Sequence, residues 1–388
     1  MPEAVIVDAL RTPIGRAFKG SLAPLRPDDM GAFIVDQLLE RNPDVDPASV
    51  EEVIAGVGLP QGRQAFNIGR AIALLSERLP IEVNGHTVSR YCASGLDAIR
   101  SAANSVAAGQ GDTYIAAGVE WVSQYNERQE AAGAADQNEK LQGKEPGQPN
   151  VYIQMGDTAV NVAKRYEVSR PDMDKYAQRS QELAVRSQED GFFDREIAPV
   201  TLPDGTTVEK DDGPRASSSI EKLAELPEAF EGGGGVTAGN SCPLNDGAAA
   251  AIIMSADKAK ELGLKPRARI ITAATAANEP EYMGVAPIPA IGKVLDRAGM
   301  TIENIDTVEL NEAFAAQVIP IMAECNIPLE KMNPHGGAIA LGHPFGMTGV
   351  RIMTTLLNGL ESDDKQVGLE TMCVAGGQGE AMIVERLN

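Results

Sequence analysis

The stretch Val88-Ser89-Arg90-Tyr91-Cys92-Ala93-Ser94-Gly95-Leu96-Asp97-Ala98-Ile99-Arg100 carries an apolar run into a single cysteine and then opens a helical pattern of small residues. Gly85 to Tyr91 reads as a short strand, and Ala98, Ile99, Ala102, Ala103, Val106 and Ala107 recur at helical spacing, which sets Cys92 near a helix N-terminus. Unpaired amides and the helix dipole favour an anion at such a place. The expectation is a thiol whose pKa is lowered toward neutrality, and the thiolate is the form that attacks a carbonyl carbon. A buried, inert cysteine is the alternative reading of the same letters.

Strands and helices alternate on both sides of this stretch. Upstream, Ala4 to Val7 and Val53 to Val57 read as strands, with helices over Met30 to Leu39 and Ile68 to Leu75. Tyr114 to Glu120 is a further buried strand, so a parallel or mixed sheet is expected. Composition then changes. Gln124 to Asn150 is polar, and the amphipathic helix candidates Thr158 to Tyr166 and Pro171 to Gln188, the second preceded by Ser169 as a start signal, belong to an inserted region. Glu231 to Val236 reads as a flexible return and Gly247 to Met254 as a strand rejoining the sheet. A second α/β unit begins near Ala268, with strands at Arg269 to Ala274, Thr307 to Leu310, Leu369 to Cys373 and Ala381 to Val384, and a helix at Ile288 to Ala298. Each half has a cysteine at the end of an apolar run, which suggests an internal duplication.

The chain of 388 residues, 43% hydrophobic, can bury a large core. Its 55 acidic against 34 basic residues give a formal charge of −21, which disfavours nucleic acid or an anionic membrane as partner. No apolar stretch approaches the ~20 residues of a membrane span, and Met1 to Val7 runs directly into a strand-like segment, so a cytoplasmic protein is expected. Cys92, Cys242, Cys325 and Cys373 show no paired short spacing, which argues for reduced thiols rather than a zinc site or a disulfide framework.

Three further stretches carry chemistry-bearing residues. Asn311-Glu312-Ala313-Phe314-Ala315 follows a strand directly, and its first two residues read either as helix caps or as an amide that positions water or a substrate oxygen. Asn333-Pro334-His335-Gly336-Gly337-Ala338-Ile339-Ala340-Leu341-Gly342-His343-Pro344-Phe345-Gly346 holds two of the three histidines; it lacks the lysine and Ser/Thr of a P-loop and a third metal ligand. Its glycines are expected to let a ligand approach the backbone. Cys373-Val374-Ala375-Gly376-Gly377-Gln378-Gly379 reads either as core or as a site for an acid/base thiol.

Together with Gly235-Val236-Thr237-Ala238-Gly239-Asn240, these stretches resemble, in order and over essentially the whole chain, the thiolase family. The resemblance implies an α/β fold of five layers, αβαβα, built from two similar domains with an inserted loop domain. Residues 1–120, completed by about 245–265, would form the N-terminal domain, 121–244 the loop domain that contacts CoA, and 266–388 the C-terminal domain. It implies a homodimer or homotetramer, free or as a subunit of a fatty-acid oxidation complex, with no permanently bound cofactor or metal and with acyl-CoA and coenzyme A as substrates.

Carried over, the family pattern makes Cys92 the nucleophile that takes up an acyl group and His343 its activating base. His343 and a water held by Asn311 would serve one oxyanion hole, and the amides of Cys92 and Ala375 a second, each donor being worth ~3 kcal/mol of barrier. Cys373 would deprotonate the CoA thiol in cleavage, or the acetyl α-carbon in condensation. Met155, Ala238, Cys242 and Phe314 would line the pantetheine and acyl sites, and Arg215 would border the adenine. Departures from the pattern are Ala375 for glycine, Cys242 for serine, His335 for asparagine, Trp121-Val122 for a small polar pair and Asp97 for glutamine. Asp97, five residues past Cys92, is expected to point roughly 140° away from it around the helix. Met155, Trp121 and Met283 are expected to line the acyl pocket. The resemblance favours 3-ketoacyl-CoA cleavage through a Cys92 acyl-enzyme. Biosynthetic condensation to acetoacetyl-CoA and a noncatalytic acyl-CoA or lipid carrier are the alternatives, while Cys373 argues against a decarboxylating ketoacyl synthase.

Overall fold

Strands buried on both faces, with alternate side chains entering different cores, build the layers. The structure, a computed structural model, describes residues 2–125 and 136–387, so part of the polar 124–150 stretch lies outside the described residues. Along β1 (Ala4–Arg11), Ile6 and Ala9 face a central core while Val5, Val7 and Leu10 face an outer one. A bulge between Ile6 and Asp8 shifts the parity, so that Ala9 continues the face of Ile6. The same alternation runs along β2 (Glu52–Gly56), β3 (Asn84–Val88), β4 (Thr113–Trp121) and β5 (Asn245–Ser255) in the first half. In the second half it runs along β6 (Ala268–Ala277), β7 (Thr307–Leu310), β8 (Val367–Val374) and β9 (Gln378–Arg386).

These strands form one sheet in the order β7-β8-β9-β6-β1-β5-β4-β2-β3, with a short strand at Gly15–Arg16 also pairing with β5. The halves meet edge to edge through Val5 against Arg269 and Ile6 against Ala268. The first half reads outward from this seam as β1-β5-β4-β2-β3, and the second as β6-β9-β8-β7 followed by a parallel bridge from Val308 to Met332. The connectivity is the same in both, which is the duplication expected, although the cysteines do not mark equivalent points: Cys92 follows β3, whereas Cys373 lies in β8, the counterpart of β4.

Helices α1 (Pro27–Arg41) and α2 (Ile68–Leu75) cover the outer face of the first half. Helices α3 (Ser94–Ala107) and α8 (Phe345–Ser362) lie between the halves. On the outer face of the second half sit α4 (Met155–Arg165), α5 (Arg170–Glu189), α6 (Pro287–Ala298) and α7 (Ala315–Glu324). The order is therefore αβαβα, the five layers expected. Ser169 caps α5 by accepting from Asp172 N at 3.2 Å, as its start signal predicts. The central helices meet backbone to backbone, because side chains at Gly95 and Gly349 would fall on Gly346 O and on Leu96 N. Both helices begin at the same end of the sandwich, and Cys92 and His343 each lie just before the first turn of one of them.

Candidate active site

The strand expected over Gly85 to Tyr91 stops at Val88 because Tyr91 takes φ 45°, a left-handed conformation that a bulky residue seldom adopts. Beneath this turn the Ser94 hydroxyl accepts from Arg90 N at 2.8 Å and lies 2.7 Å from Tyr91 O and 3.0 Å from Val57 O. The turn lifts Cys92 into a cavity of about 260 Å³ whose walls include Leu59, Tyr91, Met155, Phe345 and Ala375. Trp121 and Met283 lie elsewhere, contrary to expectation. The Trp121 indole donates to Ala23 O at 3.1 Å, and Met283 is buried in the outer core of the second half.

The expected low thiol pKa is overturned. Desolvation pushes the Cys92 thiol well above its usual range, and the neighbouring Cys373, Cys242 and Glu120 add to it. The helix dipole is outweighed by this apolar, electron-rich surrounding. Asp97 faces away, paired with Arg100 at 2.8 Å and Arg90 at 3.3 Å. Glu120 is fully buried and accepts from Gly58 N at 2.7 Å, Gly346 N at 2.8 Å and the Gln64 amide, so it binds the cavity wall to the start of α8.

His343 is placed by Gly342, at φ 113°, and by its own amide, which donates to Asn245 Oδ1 at 3.0 Å. Its Nδ1 lies 2.6 Å from Thr348 Oγ1, and that hydroxyl donates to Pro344 O at 2.8 Å. The hydroxyl hydrogen is thus committed, and the network assigns the proton to Nδ1 and the lone pair to Nε2. Asn311 Nδ2 lies 3.3 Å from Nε2. Burial, with Arg351 next, pushes His343 down to about 3, so the ring is neutral and can act as a base.

Asn311 and Glu312 are not helix caps, since α7 starts at Phe314 without a side-chain cap. Glu312 instead knots the region together, accepting from Tyr176 Oη at 2.8 Å, Ser180 Oγ at 2.6 Å, Asn333 Nδ2 at 2.7 Å and Ile339 N at 3.2 Å. The histidine loop's glycines serve this knot rather than a ligand. A side chain at Gly337 would overlap the Glu312 carboxylate, and one at Gly342 would overlap Asn245. His335 stacks on Phe192 at 3.7 Å and meets Asp363 at 3.2 Å, outside the cluster around His343.

Cys373 is fully buried and accepts from Gln317 Nε2 at 3.0 Å. Burial pushes its pKa to about 11, against the lowering effect of Gln317. Burial and Cys373 likewise push Cys242 to about 12. Phe314 is buried and meets Phe230 edge-on at 6.1 Å. Arg215 and Ala238 line a separate cleft of about 200 Å³ with Gln181, Ser218 and Ser241. The segment before Arg215 is fixed by Asp211, which pairs with the buried Arg11 at 2.7 Å. Arg16 stands close enough for its charge, after burial, to hold the Arg215 guanidinium below its usual range. Gln317, Thr348, Glu120 and Arg16 were not singled out from sequence. Of these only Gln317, a polar residue inside the apolar run Ala315 to Ile321, carries a signal there. Among the described residues no group of three or more His, Cys, Asp or Glu is placed to hold a metal.

Family models match almost the whole chain: thiolase, N-terminal domain, over residues 4–257, and thiolase, C-terminal domain, over residues 264–386. A beta-ketoadipyl-CoA thiolase of Acinetobacter baylyi is 42% identical, with 100% of each chain covered. A 3-ketoacyl-CoA thiolase of a Marinomonas species is 42% identical over 99% of this chain and 98% of its own. Among solved structures, the dimeric peroxisomal thiolase of Saccharomyces cerevisiae superposes with a TM-score of 0.92 at 36% identity, covering 99% of this chain and 97% of that one. With five layers, a repeated half, family models over both halves and full-length relatives at 42% identity, the chain belongs to the thiolase family.

Proposed function

We propose that this enzyme cleaves 3-ketoacyl-CoA with coenzyme A through an acyl group carried on Cys92. The observation that carries the reading is the Asn311–His343–Thr348 arrangement, in which a neutral imidazole with its lone pair on Nε2 stands at the shared end of the two central helices. At rest the site holds a thiol and a neutral base rather than an ion pair. Proton transfer therefore accompanies attack. His343 Nε2 takes the Cys92 proton as Sγ bonds to the keto carbon, and the amides of Cys92 and Ala375 receive the developing oxyanion.

Breaking the bond between the α and keto carbons leaves the acyl group on Cys92 and an acetyl-CoA carbanion. Cys373 donates its proton to that carbon, while His343 and a water on Asn311 stabilise the enolate oxygen. Asn311 Oδ1 has no protein partner among the described residues, which suits it to hold a water. The Cys373 thiolate then deprotonates incoming CoA, whose sulfur takes the acyl group. Cys92 leaves as thiolate and recovers its proton from His343, so atoms and charges balance. Condensation runs the same steps in reverse.

The Arg215 cleft supports binding of the nucleotide end of CoA, because it presents a guanidinium, on which the charge of Arg16 also acts, in a chain of charge −21. We further assign residues 121–244 to a loop domain over the CoA site. Among the described residues edge strand β3 has one strand neighbour, and Phe66 at 98% exposure and Ile81 at 68% are exposed apolar residues of the same half, which supports a homo-oligomer. The four free cysteines fit a reducing cytoplasm.

The test is thiolysis of acetoacetyl-CoA and longer 3-ketoacyl-CoA, combined with intact mass after acetyl-CoA incubation. Turnover with an acyl adduct lost in Cys92→Ser is expected. Folded wild-type protein without adduct would overturn the reading in favour of a carrier.

A further inference from the structure

The second oxyanion hole draws its two amides from different halves of the fold. Cys92 follows the left-handed Tyr91, and Ala375 stands at the tip of the β8-β9 hairpin. That tip is soft by sequence: Ala375 is followed by Gly376 at φ 78° and Gly377 at φ 76°, two residues that give the backbone its greatest freedom. One side chain joins the two turns. Gln378 Oε1 accepts from Arg90 Nη1 at 3.2 Å, and Gln378 Nε2 donates to Ala375 O at 3.3 Å. Because a guanidinium only donates, the amide orientation is fixed by Arg90, which turns the NH₂ group toward Ala375. Arg90 is itself held from below, with Nε 3.3 Å from Asp97 and 3.5 Å from Glu380, while Arg100 closes the cluster 3.0 Å from Glu380.

We propose that Gln378 is a positioning residue whose amide bridges Arg90 and the Ala375 carbonyl and thereby sets the spacing of the two oxyanion donors. The inference rests on the acyl-enzyme reading above, in which those amides bind the oxyanion. Gln378 touches no reacting atom; it acts through the Ala375 peptide, whose N–H must meet the oxygen only as charge develops on it. A misplaced donor therefore weakens the transition state more than the bound substrate.

Two variants test it. Gln378→Met removes both bonds at similar volume, and Gln378→Glu keeps an acceptor for Arg90 but has no hydrogen for Ala375 O. Both are expected to lower kcat for acetoacetyl-CoA thiolysis by roughly 10-fold or more, with KM within about twofold and iodoacetamide alkylation of Cys92 within about twofold. In an Arg90→Met background the Gln378→Met change should cost less than in wild type. Wild-type kcat in either variant overturns the proposal. So does a loss shared by KM and alkylation with a lowered Tm, since that marks a purely structural role. Should Gln378→Met not fold, Gln378→Glu decides alone. Absence of any acyl adduct in wild type would instead remove the acyl-enzyme reading, so the two failures are distinct.

Discussion

Thr348 Oγ1 lies 2.6 Å from His343 Nδ1 and spends its own hydrogen on Pro344 O at 2.8 Å. One hydroxyl thus determines which ring nitrogen is basic. Thr348→Val removes the acceptor at nearly constant volume and frees the imidazole to place its proton on Nε2, where it cannot take one from Cys92. The expected outcome is a kcat lower by about 10- to 100-fold, within the range that a positioned base supplies. Steady-state kinetics beside a thermal melt check it, and unchanged kcat in a folded variant would contradict the tautomer assignment.

Gln317 is the only side chain of the described residues that hydrogen-bonds the Cys373 sulfur, at 3.0 Å. It holds down a pKa that burial has driven to about 11. Gln317→Leu removes that stabilisation of the thiolate, so the pKa of Cys373 rises further. The expected readout is slower exchange of the acetyl-CoA methyl protons into D₂O, by about 10-fold at pH 8. Acylation of Cys92 by acetyl-CoA, which does not use Cys373, should be little changed, and equal losses in both would place Gln317 elsewhere in the chemistry.

The fold was legible because the strands are near-continuous apolar runs, and small residues following Cys92 mark where α3 begins. The sign of the Cys92 shift was not legible. Helix position is a local property, whereas the desolvation and the sulfur of Cys373 are supplied by the other half of the duplication. The histidine loop's glycines were misread for a related reason. Spacing shows that backbone must come close to something, but only the fold reveals that the something is Glu312 and Asn245. Thr348, five residues after His343 on an otherwise ordinary helix, carries no mark in the letters. Trp121, a departure from the family pattern, was expected in the acyl pocket, yet its indole donates to Ala23 O.

Burial, and next the like charge of Arg16, hold Arg215 below its usual range. An anion between the two arginines would relieve the repulsion. Arg215→Ala and Arg16→Ala are each expected to raise KM for CoA by about 5- to 10-fold with kcat nearly unchanged, since the contact is the same in ground and transition states. Wild-type KM should rise with ionic strength, more steeply than in either variant. A fall in kcat with constant KM would show that the cleft does not hold the nucleotide.

Four fully buried glutamates give the fold an acid-side stability maximum. Burial is the first cause in each: it pushes Glu120 to about 7, Glu309 and Glu380 to about 8, and Glu370 well above the usual carboxylate range despite the nearby Arg351. Raised values mean that, between pH 4.5 and about 8, the native state holds protons that the unfolded chain releases. These carboxyls make stability fall as pH rises through that window, by up to about 1.4 kcal/mol per pH unit for each such proton, against one opposing contribution below about pH 6.5 from His343, which the unfolded chain protonates and the native state does not. Tm is expected to be highest near pH 5 and to decline steadily toward pH 8.5. Among the described residues neither oxygen of Glu370 has a hydrogen-bond partner; Glu380 shares this but lies 3.0 Å from Arg100, so the Glu370 charge is the least compensated of the four. Glu370→Gln should match wild type near pH 5, exceed it by about 2 °C at pH 8 and flatten the decline. A wild-type Tm that rises with pH, or a Glu370→Gln curve parallel to wild type, would mean that this carboxyl is ionised in the native core.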